Sequence, residues 1–165
     1  ETPQSGKWAP GRNGDPITMI AVHDTEGGWD ASVSTLQNDP GKSVHYIIDA
    51  DGSRMGQFIH EADTGWHVGN SYYNRHMVGI EHVGYSTKPY PTKQYDVSGK
   101  LVRHLADKYK VPKDRAHIIG HDLRQSLVGD QRILEIVPVD VGGDPVASCD
   151  GVDLFLEAFT DHDAV

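Results

Sequence analysis

The chain has 165 residues, 37% of them hydrophobic, which suits one independently folding domain with a core of its own. Its formal charge of -9, from 24 acidic residues against 15 lysines and arginines, opposes a phosphate backbone, and no basic patch offsets it, so no nucleic-acid partner is expected. A single cysteine, Cys149, excludes an intrachain disulfide framework, and no apolar run approaches the roughly 18 residues that span a bilayer.

Residues 1–16 are rich in Gly and Pro without periodicity and read as a loosely structured arm on the surface. The chain opens on Glu1 with no basic segment followed by an apolar one, the look of a processed or trimmed chain and compatible with secretion. Ile17 to His23 is a short apolar, β-branched run, expected as a strand that ends at His23. Asp30 to Gln37 follows a glycine pair and reads as a short helix presenting Val33 and Leu36, with Asp30 as its cap. Gly41 and Lys42 lead into a strand at Val44 to Asp49, closed by the turn dipeptide Asp51-Gly52 and paired in a hairpin with Gln57 to Ile59.

Asn70 to Arg75 is polar and aromatic and reads as a surface loop, before strand character returns over Met77 to Val83 with Glu81 near its end. Pro89 and Pro91 make Tyr85 to Thr92 a loop. Val97, Leu101, Leu105 and Tyr109 recur every four residues, with Val102 and Ala106 widening the stripe, which predicts a helix from about Asp96 to Lys110 bounded by Pro112. Ala116 to Gly120 is a further strand that delivers His121 to a rim. Asp122 to Gly143 is an irregular excursion, and an amphipathic helix begins at Ser148 or Asp150. Strands and helices mix within one domain, residues 17–165, so the class is α/β or α+β with a central mixed sheet flanked by helices.

A catalytic zinc site needs three protein ligands and an open position, fixed on rigid elements. His23 and His121, each closing an apolar strand, meet the rigidity requirement. Periodicity alone equally allows each to be an ordinary polar strand end, and the chain has no His-Glu-x-x-His motif to separate the two readings.

Five segments carry more information together than singly: Ala21-Val22-His23-Asp24-Thr25; Ser43-Val44-His45-Tyr46-Ile47-Ile48-Asp49 with Asp51-Gly52; Gly65-Trp66-His67-Val68-Gly69; Val78-Gly79-Ile80-Glu81; and Ile118-Ile119-Gly120-His121. In that order they resemble the zinc N-acetylmuramoyl-L-alanine amidases of the peptidoglycan-recognition type, also called type 2 amidases, over about Ile17 to Asp144. The resemblance implies Zn²⁺ as cofactor, His23 and His121 as ligands, and Glu81 as the carboxylate that takes a proton from the attacking water. It implies Trp66 and His67 as groove-lining residues that bind substrate, while His45 keeps a hydrogen-bonded structural role and Tyr46, on the opposite strand face, a core one. Asn74, with Tyr72 and Tyr73, lies in the loop before the Glu81 strand and is a further substrate-binding candidate.

The third ligand departs from the family pattern. Asp144, followed by Pro145, is the first choice, although it comes after the long excursion and lacks the following glycine. Asp130 has the more usual spacing without the proline, and Cys149 is chemically suited as a thiolate. The basic residue that many members carry two places earlier is Gly142 here, leaving oxyanion stabilisation to zinc, a backbone N–H or another side chain. The implied activity is hydrolysis of the amide between N-acetylmuramic acid and L-alanine, with peptidoglycan or muramoyl-peptide fragments as partners. The expected protein is a monomer, secreted or wall-associated; the competing class is a non-catalytic recognition module.

Overall fold

The computed structural model describes residues 7–120. In chain order the elements are β1 (Trp8–Ala9), β2 (Met19–Asp24), α1 (Trp29–Asn38), β3 (Tyr46–Ile48), β4 (Met55–Gln57), β5 (Thr64–Gly65), α2 (Ser71–His76), β6 (Met77–His82), α3 (Thr92–Tyr109) and β7 (Ile118–Ile119). Among the described residues the main sheet runs β4-β3-β6-β2-β7, while β1 and β5 pair separately. The strands β3, β6, β2 and β7 are parallel and β4 is antiparallel, so the sheet is mixed, as expected. The predicted hairpin is present across the Asp51-Gly52 turn, with Tyr46 opposite Gln57, but its second strand is Met55–Gln57 rather than Gln57 to Ile59. Gly52 has φ +67°, and a Cβ there would meet the Lys93 carbonyl oxygen at 2.7 Å, so the turn needs glycine both for its backbone and for its approach to the start of α3.

Strand alternation sorts the sheet into two faces. Ile20, Val22, Tyr46, Ile48, Val78, Ile80 and Ile118 pack with Leu101, Val102, Leu105 and Ala106 of α3 into one core. On the opposite face Ile47 packs with Leu36 of α1, Val44, Phe58 and Ile59, while Ala21, Met77 and Ile119 pack with Val68 and Tyr73 of α2. The predicted α3 stripe is the buried one, and the helix ends where Lys110 takes a left-handed conformation (φ 59°) two residues before Pro112.

Four expectations are corrected. Asn70 to Arg75 is not a loop, because the Asn70 side chain accepts from the Tyr72 and Tyr73 N–H groups and starts α2 at Ser71. The cap of α1 is Gly28, and Asp30 lies inside the first turn, where its charge complements the helix dipole. The helix expected from Asp96 starts at Thr92, directly after Pro91, whose ring favours helix entry. The arm is also more than a surface segment: over residues 7–16 it forms β1 against β5 and buries both Lys7 and Arg12.

Lys7 donates to the Leu36 carbonyl at the end of α1. Arg12, 7% exposed, donates from Nε to the Glu61 carbonyl (2.7 Å) and from one terminal nitrogen to those of Arg75 (2.7 Å) and Met77 (3.0 Å). It thus ties the arm to the loop before β5 and to the α2–β6 junction. Nearby, the buried Glu61 carboxylate accepts from the hydroxyls of Tyr46 and Tyr109 and from Lys108 Nζ, fastening the loop before β5 to α3. Among the described residues no helix is long and apolar enough to cross a membrane.

Candidate active site

Parallel strands bring their carboxyl ends to one edge of a sheet, where α/β proteins place their ligands. His23 is next to last in β2, and its partner in the neighbouring β6 is Glu81. Laterally paired residues share a face, so imidazole and carboxylate stand side by side at that edge. Both line a cavity of about 440 Å³ together with Asp24, Glu26, Ser32, Lys42, Ser43, Trp66 and His67. β6 lies between β3 and β2, so Glu81 belongs to an interior strand rather than an edge.

His23 is 2% exposed, and its Nε2 lies 3.1 Å from His67 Nδ1, the two rings meeting edge to face. The His67 ring sits over Gly79: a Cβ at that position would be 2.7 Å from Nδ1 and 2.8 Å from Cγ. His45 packs on the other side of His67, again edge to face. Its Nδ1 accepts the Gly79 N–H (3.0 Å), while Nε2 lies 3.2 Å from the Asp63 carbonyl and 2.9 Å from Arg12. Burial, with the Arg12 charge adding to it, lowers the His45 pKa to about 4, so His45 is neutral at physiological pH. Its structural role is therefore specific: it fixes the backbone on which His67 rests.

The segment carrying Trp66 and His67 is held from two sides. The Trp66 N–H donates to Ser43 Oγ (2.8 Å) and its carbonyl accepts the Ser43 N–H (3.1 Å). The Asn74 side-chain oxygen accepts the N–H groups of His67 (3.1 Å) and Val68 (3.0 Å). Asn74 is only 4% exposed and is not among the described residues that line the cavity; its side-chain oxygen faces the backbone of His67 and Val68. A short polar residue in an expected loop reads as solvated in sequence; here it lies within α2, on the face that the helix turns inward.

Two loops build the rim beyond His23 and Glu81. The Thr25 N–H donates to the His82 carbonyl (3.0 Å), the Gly27 N–H to the Gly84 carbonyl (3.1 Å), and the Ser86 N–H to Glu26 Oε1 (2.9 Å). Tyr90 donates to Asp24. Behind the rim, the fully buried His82 contacts the His23 carbonyl through Nδ1 (3.2 Å) and Ser98 of α3 through Nε2 (2.7 Å). Asp24, Glu26, Ser32 and Lys42 have no role at the site that sequence assigns, since single polar side chains carry no periodic signal.

Residues 13–133 match the family model described as N-acetylmuramoyl-L-alanine amidase. The chain belongs to this family. The amidase-family fold recurs in solved structures, among them the N-acetylmuramyl-L-alanine amidase AmiD from E. coli, in complex with the substrate anhydro-N-acetylmuramic acid-L-Ala-D-γ-Glu-L-Lys: TM-score 0.57, 22% identity, over 64% of this chain and 48% of that one. AmpDH3 from Pseudomonas aeruginosa, in complex with anhydromuramic pentapeptide, gives 0.57 and 23%, over 66% and 52%. The Staphylococcus aureus hydrolase AmiA, in complex with its ligand, gives 0.63 and 19%, over 79% and 68%. The chain thus spans about half the length of the first two. No curated protein sequence matches it.

Within this amidase-family domain, the described residues contain no group of three or more His, Cys, Asp or Glu side chains placed to hold a metal ion. His23 offers a suitable imidazole donor at the cavity; the other expected ligands, His121, Asp144 and the alternatives Asp130 and Cys149, lie outside the described residues, as do the excursion and the last expected helix.

Proposed function

We propose that this chain hydrolyses the amide bond between N-acetylmuramic acid and the L-alanine of the peptidoglycan stem peptide, with zinc as cofactor. The observation that carries the reading is the lateral pairing of His23 with Glu81 at the carboxyl edge of the parallel strands, in one cavity, in a member of the amidase family. Catalysis is favoured over recognition alone because the carboxylate suited to base chemistry shares the cavity with the candidate ligand. His23, His121 and Asp144 are assigned as the zinc ligands. The ion supplies Lewis acidity toward the amide carbonyl and toward water. Glu81 accepts a proton from the attacking water and returns it to the departing alanine nitrogen. Trp66 offers an indole face to the sugar or lactyl group, His67 borders the reacting centre, and Asn74 acts on both through the backbone it holds.

We assign residues 17–165 to one catalytic domain, monomeric and secreted or wall-associated, acting on peptidoglycan or its muramoyl-peptide fragments. The test is cleavage of a muramoyl-peptide by the zinc-loaded protein, followed as released peptide. Wild type is expected to cleave, to lose activity to a chelator and to regain it with zinc. Glu81→Gln is expected to keep zinc and fold while losing about 10²–10⁴-fold in rate. A zinc-loaded wild type that binds the fragment without cleaving it would establish the recognition reading instead.

A further inference from the structure

The cavity is acidic in its described lining. Asp24, Glu26 and Glu81 contribute carboxylates, and among the described lining residues Lys42 is the sole lysine or arginine. Lys42 is exposed, and no described carboxylate forms an ion pair with it. Its backbone is nevertheless held on both sides. The Gly41 N–H donates to Asp39 Oδ1 (2.8 Å) and the Lys42 N–H to the Asp39 carbonyl (3.4 Å), at the end of α1. Next in sequence, Ser43 exchanges two hydrogen bonds with Trp66. A long cationic side chain thus springs from a fixed point on the wall that also carries the Trp66 segment.

This placement meets a requirement of the substrate class assigned above, on which the inference rests. A γ-linked D-glutamate follows L-alanine in the E. coli complex, and a γ-linkage leaves the α-carboxylate of that residue free. Its Cα lies about 3.8 Å from that of the alanine across a trans peptide. The charge therefore enters the cavity close behind the scissile bond. Among the described lining residues Lys42 is the lysine or arginine that can receive it.

The geometry points to Lys42 as a specificity-determining residue that binds the free α-carboxylate of the second stem-peptide residue. It discriminates a γ-linked D-glutamate from its neutral α-amide, D-isoglutamine. The pairing is partly solvated, so its effect is modest and falls with salt.

The test compares N-acetylmuramoyl-L-alanyl-γ-D-glutamyl-L-lysine with its D-isoglutaminyl-L-lysine counterpart, in both of which the γ-carboxyl is taken up in an amide, on zinc-loaded wild type and Lys42→Gln. Wild type is expected to favour the acid form about five- to tenfold in kcat/KM, through KM, and Lys42→Gln to bring that ratio close to one by raising the KM of the acid form more than that of the isoglutamine form. Lys42→Glu should invert the preference. Equal use of both substrates by wild type, or an unchanged ratio in Lys42→Gln, would overturn the assignment. If wild type cleaves neither compound, the hydrolase reading fails, and calorimetric binding of the same two compounds decides the role of Lys42 by the same ratio. Lys42 is exposed, so both variants are expected to fold, checked by their melting curves.

Discussion

Gly79 and His67 occupy one space: the imidazole lies where a side chain on residue 79 would be, 2.7 Å from its ideal Cβ. The clash is with a ring already bounded by His23 and His45, so it has little room to yield. Gly79→Ala is therefore expected to displace His67 and lower kcat/KM by about tenfold or more, because small misplacements beside a reacting centre are costly. Histidine side-chain resonances would show the displacement directly. Unaltered His67 resonances and full activity would mean that the ring has another resting place.

Asn74 makes a second test, since contact with substrate and support of a loop predict different results. Asn74→Ala leaves the N–H groups of His67 and Val68 without their acceptor, and each buried orphan costs about 1–3 kcal/mol. A lower denaturant midpoint together with reduced activity is expected. A rise in KM at unchanged stability would return Asn74 to the substrate-binding residues.

The elements legible in the sequence are those with a long repeat or a marked turn: the α3 stripe, the β3–β4 hairpin, and the strands carrying His23 and Glu81. Glu81 was also legible as a carboxylate in an apolar run. What the sequence could not show is pairing between distant segments. Nothing near Arg12 announces burial, because the carbonyls that receive its guanidinium come from residues 61, 75 and 77, each satisfied only after the fold brings them together. Asn70 and Asn74 read alike as loop polars, yet one caps α2 from outside and the other turns inward from its second turn. Lys42 carries no local signal, and its interest arises from the carboxylates that share its cavity.

Stability should fall with acid in two stages. Burial, with Arg12 adding to it, holds His45 near 4 in the folded protein, against about 6.5 when unfolded. The unfolded chain therefore takes up its proton first, and stability present above pH ~6.5 is lost as pH falls toward ~4; burial lowers His82 to about 4 as well, in the same direction. Burial alone would raise Glu61, but hydrogen bonds from Lys108, Tyr109 and Tyr46 outweigh it and hold its pKa at about 2. Its stabilising contribution is complete above the unfolded value of about 4.3 and disappears as pH falls through ~2. Urea midpoints measured from about pH 8 to pH 3 should decline through both windows, with Glu61→Gln flattening the lower one. A midpoint independent of pH across the upper window would contradict the neutral, buried state of His45.

The last prediction concerns the third zinc ligand, assigned to Asp144, outside the described residues. In the proposed site two neutral imidazoles, from His23 and His121, would leave the double charge of the ion uncompensated, and a carboxylate ligand would offset part of it. Pro145 restricts the preceding residue toward extended backbone, which suits a side chain presented from a connecting segment rather than a helix. Asp130 and Cys149 offer competing donors, so the three are compared directly. Asp144→Ala is expected to lose zinc and activity together, while Asp130→Ala and Cys149→Ala keep about one zinc per chain and near-normal turnover. Elemental analysis of the three proteins, dialysed side by side without chelator and checked for folding by circular dichroism, decides among them. A zinc-replete Asp144→Ala would remove that residue from the site, and a folded but metal-poor Asp130→Ala or Cys149→Ala would take its place as the ligand.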